Sequence, residues 1–295
     1  MEARLLEDVR YEAPTTLARA VELLAERGAR VLAGGTDLLV QMRTGRAAPR
    51  VFVDVKRIPE TTRIELGKDE LWLGAAVAAA AIVEHPELGR LWPGLVEAVD
   101  LIGSTQIQGR ASVGGNLCNA SPAADTTPAL CAVSARCAIT GPKGAREVPV
   151  EQFTTGPAAT VLAPGELLVG FRIPRPAGRA SDAYLRFIPR TEMDIAVVGA
   201  GVSVTLDDSG RCVQARVALG AVAPKVLLVA DASAALVGSR GEDAALTRAA
   251  EAASAAARPI SDKRGTVAYR RRVAGVLVRR AASAAFERAR GGASA

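Results

Sequence analysis

Two glycine pairs carry the first chemical signal. One lies in Ala33-Gly34-Gly35-Thr36-Asp37, where an apolar strand runs into a helix. The other lies in Ser112-Val113-Gly114-Gly115-Asn116, followed by Ser121-Pro122-Ala123-Ala124-Asp125-Thr126. Paired glycines let the backbone approach a ligand closely and gather amide N–H groups into one concavity, which suits the dianionic pyrophosphate of a dinucleotide. A helix N-terminus beside such a loop adds to the attraction. Thr36, Ser112, Asn116 and Ser121 are short polar side chains able to donate to phosphate oxygens or carbonyls, and Asp125 is an acceptor for sugar or ribityl hydroxyls. Neither segment is a GxGxxG fingerprint or a Walker P-loop. Either alone reads equally well as a tight turn; two of them, each carrying hydroxyl or amide side chains, are harder to explain that way.

The remaining inventory is poor in acid–base and metal chemistry. Among 295 residues there is one histidine, His85, so His-based metal sites and Ser-His-Asp or Cys-His catalysis lack material. It precedes Pro86 at an expected helix end, where capping or exposure is role enough. The four cysteines are too few for a disulfide framework and include no CxxC pair. Cys118, Cys131 and Cys137 also lack ferredoxin-type spacing and read as buried structural thiols, with Cys118 placed inside the second glycine-rich stretch. No catalytic side chain and no metal site is expected. Aromatics, at 3%, are too scarce for a single-strand nucleic-acid platform; Trp72 and Trp92 sit in apolar contexts and are expected in the core.

The net charge of +6 is unevenly placed, since ten basic residues between Arg258 and Arg290 face only Asp262 and Glu287. Such a segment suits nucleic acid or an anionic membrane. Yet Tyr269, Val273, Val276, Leu277 and Arg280 recur at helical spacing, which predicts a solvated or partner-facing helix, with Arg270, Arg271 and Arg279 as docking candidates. The N-terminal stretch lacks the basic-then-apolar layout of a signal peptide, and the longest apolar run, 74–83, falls short of the roughly 20 residues a bilayer span requires. With unpaired thiols, these features predict a cytoplasmic, soluble protein without nucleic acid or a membrane span.

Elements able to position the glycine pairs follow from pattern. Residues 17–28 read as a helix opened at Thr15 or Thr16 and closed at Gly28, 30–33 and 51–55 as strands, and Thr36 or Asp37 as the N-cap of a helix through Met42. Strands are expected at 63–66 and 70–73, helices at 75–84 and 94–101, a long structured loop over 103–127, and strands at 129–140, 160–162 and 167–173. Pro174, Pro176 and Gly178 mark a boundary. Beyond it, 183–189, 196–206 and 212–221 alternate like three antiparallel strands, with a hairpin turn at 207–210, and the Ala-rich remainder is helical. Glu192 and Asp194 follow Arg190 in a loop that reads as a salt-bridged turn.

The pattern AGGTDLL at 33–39, together with ASVGGNLCNASPAADTTPAL at 111–130 and SDKRGTVAYRRRVAGVLVRRA at 261–281, resembles the FAD-binding subunits of molybdenum hydroxylases. That family includes xanthine dehydrogenase FAD domains and carbon monoxide dehydrogenase medium subunits, and the resemblance spans essentially the whole chain. It implies an α+β protein of the vanillyl-alcohol-oxidase (PCMH) type: two α+β FAD-binding subdomains, 1–57 and 58–175, and a C-terminal domain of three-stranded antiparallel sheet and helices, 176–295. Carried over by position, the FAD contacts fall on Leu32, Ala33, Gly34, Gly35, Thr36 and Asp37, and on Ser112, Val113, Gly114, Gly115 and Asn116. The family's FAD-contacting acid falls on Asp125 and its flavin-packing leucine on Leu168. Ile102 stands where xanthine dehydrogenases have Phe, and Arg186 where they have Lys. Medium subunits of carbon monoxide dehydrogenase typically read His-Ser at Thr36-Asp37, which tips the resemblance toward the xanthine dehydrogenase-like branch. It implies partners too: a large molybdopterin-binding subunit and a small 2Fe-2S subunit, in a dimer of heterotrimers, with NAD, oxygen or a quinone-type compound as electron acceptor. The loop at 190–194 would then lie near the flavin. An FAD-free scaffold or maturation subunit of the same fold is the rival reading.

Overall fold

A computed structural model describes residues 9–191 and 193–291; residues 1–8, Glu192 and 292–295 lie outside the described residues. The chain begins with β1 (Arg10–Glu12), α1 (Leu17–Leu24), β2 (Ala29–Leu32), α2 (Leu38–Arg43) and β3 (Val51–Asp54), whose strands form a parallel sheet ordered β1–β3–β2. Thr16 caps α1 by accepting from the Arg19 N–H. Val51 and Val53 pack with Ala20 and Leu23 of α1, while Phe52 packs with Met42 of α2. β3 is therefore covered on both faces, which is how a parallel strand comes to read as an unbroken apolar run. β1 has no such pattern because its residues are largely exposed.

After α3 (Pro59–Thr62), β4 (Ile64–Leu66) and β5 (Glu70–Gly74) form the expected hairpin. The helix expected over 75–84 shrinks to α4 (Ala79–Val83), because Ala75 and Ala76 instead donate their N–H groups to the carbonyls of Val169 and Thr61. α5 (Leu88–Leu91) and α6 (Pro93–Asp100) follow. The stretch expected as a loop over 103–127 contains α7 (Thr105–Gln108) and α8 (Val113–Cys118). α9 (Thr126–Ala132) displaces the first half of the strand expected at 129–140. Every residue of α9 is buried, so no amphipathic period reveals it. Next come β6 (Arg136–Gly141), β7 (Gly144–Pro149), α10 (Val150–Phe153), the small hairpin of β8 (Thr154–Gly156) and β9 (Ala159–Thr160), and β10 (Leu167–Pro174). β10 is the central strand of the antiparallel sheet β4–β5–β10–β6–β7. A register shift between Leu168 and Gly170 puts Leu168 in one core with Phe171 and Ile173, while Leu167 and Val169 pack with the core of the first sheet.

The C-terminal sheet has four strands, not three: β11 (Arg179–Phe187), β12 (Val198–Leu206), β13 (Cys212–Gly220) and the short β14 (Leu227–Leu228). α11 (Ala230–Leu236), α12 (Asp243–Ala256) and α13 (Val267–Gly291) share its second core. The buried stripe of α13 differs from the expected one. Ala274, Val278, Ala281, Ala282, Ala285 and Phe286 are buried, whereas Tyr269 and Val276 are exposed. Small alanines bring the helix close to its neighbours, and an apolar scale weights them too lightly to mark the face. Of the three arginines expected as docking candidates, Arg270 is withdrawn by burial, Arg271 is half-buried and Arg279 stays exposed. Arg270 is buried and donates to the carbonyls of Val197 and Ala221 and to Asp262, Arg271 to the Ala257 carbonyl, and Arg279 pairs with Asp243. No helix among the described residues is long and apolar enough to cross a membrane.

β11 joins the two halves of the chain. Its odd-numbered side chains, Ala183, Leu185 and Phe187, belong to the C-terminal core, and its even-numbered ones, Asp182, Tyr184 and Arg186, turn toward the N-terminal half. Asp182 accepts from the Leu95 N–H in the first turn of α6 at 2.9 Å, but its Oδ1 is buried with no hydrogen-bond partner among the described residues. Arg288 of α13 donates to the Asp182 carbonyl and pairs with Glu97, which accepts in turn from the Tyr184 N–H. Burial pushes the Asp182 carboxyl up to about 7. Since its folded value lies above the unfolded one, its contribution to stability is complete at pH below about 4 and is lost as pH rises through about 7. Asp182→Asn keeps an acceptor for Leu95 without a charge to bury. Urea unfolding at pH 5 and pH 8 should show the variant gaining on the native chain at pH 8 by on the order of 2 kcal/mol; equal pH dependence in both would refute the assignment.

Candidate functional site

The two glycine-rich segments, whose glycine pairs stand 80 positions apart, meet backbone to backbone. A Cβ added to Gly34 would lie 1.9 Å from the Arg110 carbonyl oxygen, so only glycine admits this approach. Gly35 has φ +80°, a left-handed conformation that favours glycine again. Beside them Asn119, just past α8, donates from Nδ2 to Asp37 at 3.3 Å and accepts from Gln41 of α2 at 2.8 Å. Among the described residues, the N–H groups of Gly34, Gly35, Thr36 and Asp37 donate to no protein acceptor. Leu32 ends β2 as a buried anchor, and Ala33 offers its carbonyl to Lys56 Nζ at 2.8 Å. Asp37 stands at the N-cap position of α2, but neither it nor Thr36 caps that helix as expected.

The second segment is built differently from the expected loop. Ser112 caps α8 by accepting from the Gly115 N–H at 3.1 Å, and the Gly114 N–H goes to the Ala75 carbonyl at 3.1 Å. Both glycine amides are thus spent within the protein. A Cβ on Gly115 would meet Ser112 Oγ at 3.1 Å, and outside the helix's own backbone nothing else within 4 Å. Val113 is buried, and Asn116 Oδ1 accepts from Thr126 Oγ1 at 2.7 Å, tying α8 to α9. Cys118 is exposed, against expectation, whereas Cys131, Cys137 and Cys212 are buried. Asp37 and Cys118 are exposed as residues, yet desolvation by the surrounding protein pushes the carboxyl up and the thiol up to about 12.

A second cluster forms around Asp125. Although it occupies the N-cap position of α9, its carboxylate makes no cap and turns instead to β11. It accepts from Arg186 at 2.8 Å and from Tyr184 Oη at 3.0 Å, and Arg186 also donates to the Leu101 carbonyl beside Ile102. Burial pushes Asp125 upward against the opposing pull of Arg186 and Tyr184, and pushes Tyr184 far up as well. Ile102 and Leu168 are both buried in the core that also holds Val113 and Leu117. Tyr184 and Lys56 carry no sequence signal of their own, though Tyr184 lies two residues from Arg186 and hence on the same face of a strand. Among the other candidates, Asp194 pairs with Arg190 and Arg264, His85 accepts from the Glu87 N–H, and Trp92 is buried. Trp72 is only half-buried, flanked by Arg63 and Arg172 on a separate groove of about 530 Å³ that includes none of the glycine segments.

Removing either member of a buried ion pair leaves the other uncompensated. Asp125→Ala is therefore expected to destabilise the chain by about 3 kcal/mol in urea unfolding, and the double change Asp125→Ala with Arg186→Leu to recover much of that loss. A double variant as unstable as the sum of the two single ones would contradict a coupled pair.

Comparisons with known proteins agree with this architecture. Residues 7–176 match the model of the FAD binding domain in molybdopterin dehydrogenase, and 183–285 that of the CO dehydrogenase flavoprotein C-terminal domain. The carbon monoxide dehydrogenase medium chain of Afipia carboxidovorans is 35% identical over 95% of this chain and 97% of its own length. The xanthine dehydrogenase FAD-binding subunit of Escherichia coli O157:H7 is 35% identical over 72% of this chain and 74% of its own. Identity alone separates neither branch. The structure of CO dehydrogenase from Oligotropha carboxidovorans superposes with a TM-score of 0.90 at 34% identity, covering 95% of this chain and 98% of that one.

Proposed function

Because the chain belongs to the FAD-binding subunits of the molybdenum hydroxylase family, we propose that it holds FAD between its two glycine-rich segments and relays electrons within a larger oxidoreductase. The observation that carries this reading is the row of unengaged amides at 34–37, next to the close backbone approach of Gly34 and Arg110 that joins the two segments. Those amides would take the pyrophosphate, with the Thr36 hydroxyl as a further donor. Ser112, Val113, Gly114, Gly115 and Asn116 would form the opposite wall, as surface and side chains more than as amide donors. The Asp125–Arg186–Tyr184 cluster, with Ile102 and Leu168 behind it, would back the ring and ribityl end. When bound, FAD supplies the two-electron redox chemistry. The protein contributes binding, orientation and exclusion of water, in keeping with a chain that has one histidine.

In this reading, subdomains 1–57 and 58–175 clasp the cofactor and 176–295 closes over it. A partner with 2Fe-2S clusters delivers electrons that originate at a molybdenum cofactor on a large subunit, in a dimer of heterotrimers in the cytoplasm. Names among the relatives support such an assembly: they are medium chains or subunits of dehydrogenase complexes and hydroxylases. The acceptor is NAD, oxygen or a quinone-type compound.

The purified chain should show flavin absorption near roughly 370 and 450 nm and, in the anaerobic presence of NADH, bleach if NAD is the acceptor. Gly115→Val should fold, since a Cβ there meets Ser112 Oγ at 3.1 Å and no further neighbour outside the helix's own backbone, and should lose most of its flavin, because the side chain would intrude on the wall proposed for the cofactor. No flavin bands after adding FAD would contradict the proposal.

A further inference from the structure

Two cations touch the backbone of the first glycine pair, each at a carbonyl. Lys56 Nζ donates to the Ala33 carbonyl at 2.8 Å, and Arg110 Nε reaches the Gly34 carbonyl at 3.4 Å. In a trans peptide the C=O and N–H of one unit point in opposite directions. Drawing the Ala33 carbonyl toward Lys56 therefore turns the Gly34 N–H the other way, and drawing the Gly34 carbonyl toward Arg110 does the same for the Gly35 N–H. These two N–H groups are among those that find no acceptor in the described residues. Lys56 is itself held in place: its Nζ also donates to Asp54 Oδ1 at 2.7 Å, and the other oxygen of Asp54 accepts from Tyr11. Arg110 comes from the second segment, immediately before the Ala111 and Ser112 that lead into α8. The amides of one segment are thereby aimed by a side chain of the other.

We propose that Lys56 and Arg110 are positioning residues that aim the Gly34 and Gly35 amides at the pyrophosphate of FAD. The inference rests on the FAD reading above and adds to it the two side chains that hold the loop in its binding geometry. Arranging amides before the ligand arrives removes an ordering cost from binding. Both side chains act through the backbone and do not replace its contacts. The cation matters first as a hydrogen-bond donor to a carbonyl, so a conservative cation should substitute for it.

The test is a titration of the full-length chain with FAD, followed by flavin fluorescence, for the native protein, Lys56→Met, Lys56→Arg, Arg110→Leu and Arg110→Lys. Lys56→Met and Arg110→Leu should each raise the Kd about tenfold, in line with loss of one charge-assisted hydrogen bond. Lys56→Arg and Arg110→Lys should recover most of the affinity. Arg110 is exposed, so Arg110→Leu should unfold at the native temperature without FAD, and it keeps the test decisive if Lys56→Met proves unstable. Affinities of Lys56→Met and Arg110→Leu within twofold of a native chain that binds FAD would overturn the positioning role alone. Absence of FAD binding by the native chain would overturn the functional reading beneath it.

Discussion

A carboxylate taken out of water needs a cation and hydrogen-bond donors around it, and Asp125 finds both on one face of β11. Arg186 and Tyr184 reach it across the junction between the two halves of the chain, and Asp182 on the same face meets the first turn of α6. The alternation of a strand thus does two tasks. One set of side chains completes the C-terminal core, while the other fixes that sheet against α6 and α9. The sheet also satisfies the far end of α9: Ser203 donates to the Ala132 carbonyl and Arg216 to that of Cys131, where a buried helix would otherwise leave orphan acceptors.

Once α9 is held, the cleft follows. Thr126 donates to Asn116, so the N-terminal end of α9 sets the rotation of α8. The segment leading into α8 carries Arg110, whose carbonyl abuts Gly34 and whose side chain reaches its oxygen. The first sheet supplies the other anchor through Asp54 and Lys56. Two segments distant in sequence are brought together by backbone approach at a glycine, and the first of them keeps its amides at 34–37 free of protein acceptors among the described residues. The protein spends its polar groups on geometry, leaving redox chemistry to the cofactor its family binds.

Much of this was legible in the sequence, and the misses share physical causes. β11 alternates because its odd-numbered side chains complete the C-terminal core while Asp182, Tyr184 and Arg186 meet polar partners in the N-terminal half, and α1 announces itself with a cap and an apolar stripe. The short helices α7 and α8 hide in glycine, serine and asparagine, since four to six residues are too few to show a period. Gly114 and Gly115 promise amides, yet the α8 turn uses them. Arg270 looks like part of a solvated basic helix but is buried against the carbonyls of Val197 and Ala221, a long-range partnership no local pattern records. Lys56 and Arg110 are ordinary in sequence for the same reason: their partners are main-chain oxygens.

The most direct test of the central claim is amide hydrogen exchange of the full-length chain with and without FAD, resolved to peptides. The account predicts strong protection confined to peptides spanning 32–44 and 108–120, with smaller changes around Asp125 and Arg186. FAD that binds without protecting the 32–44 peptides would place the cofactor elsewhere and contradict it.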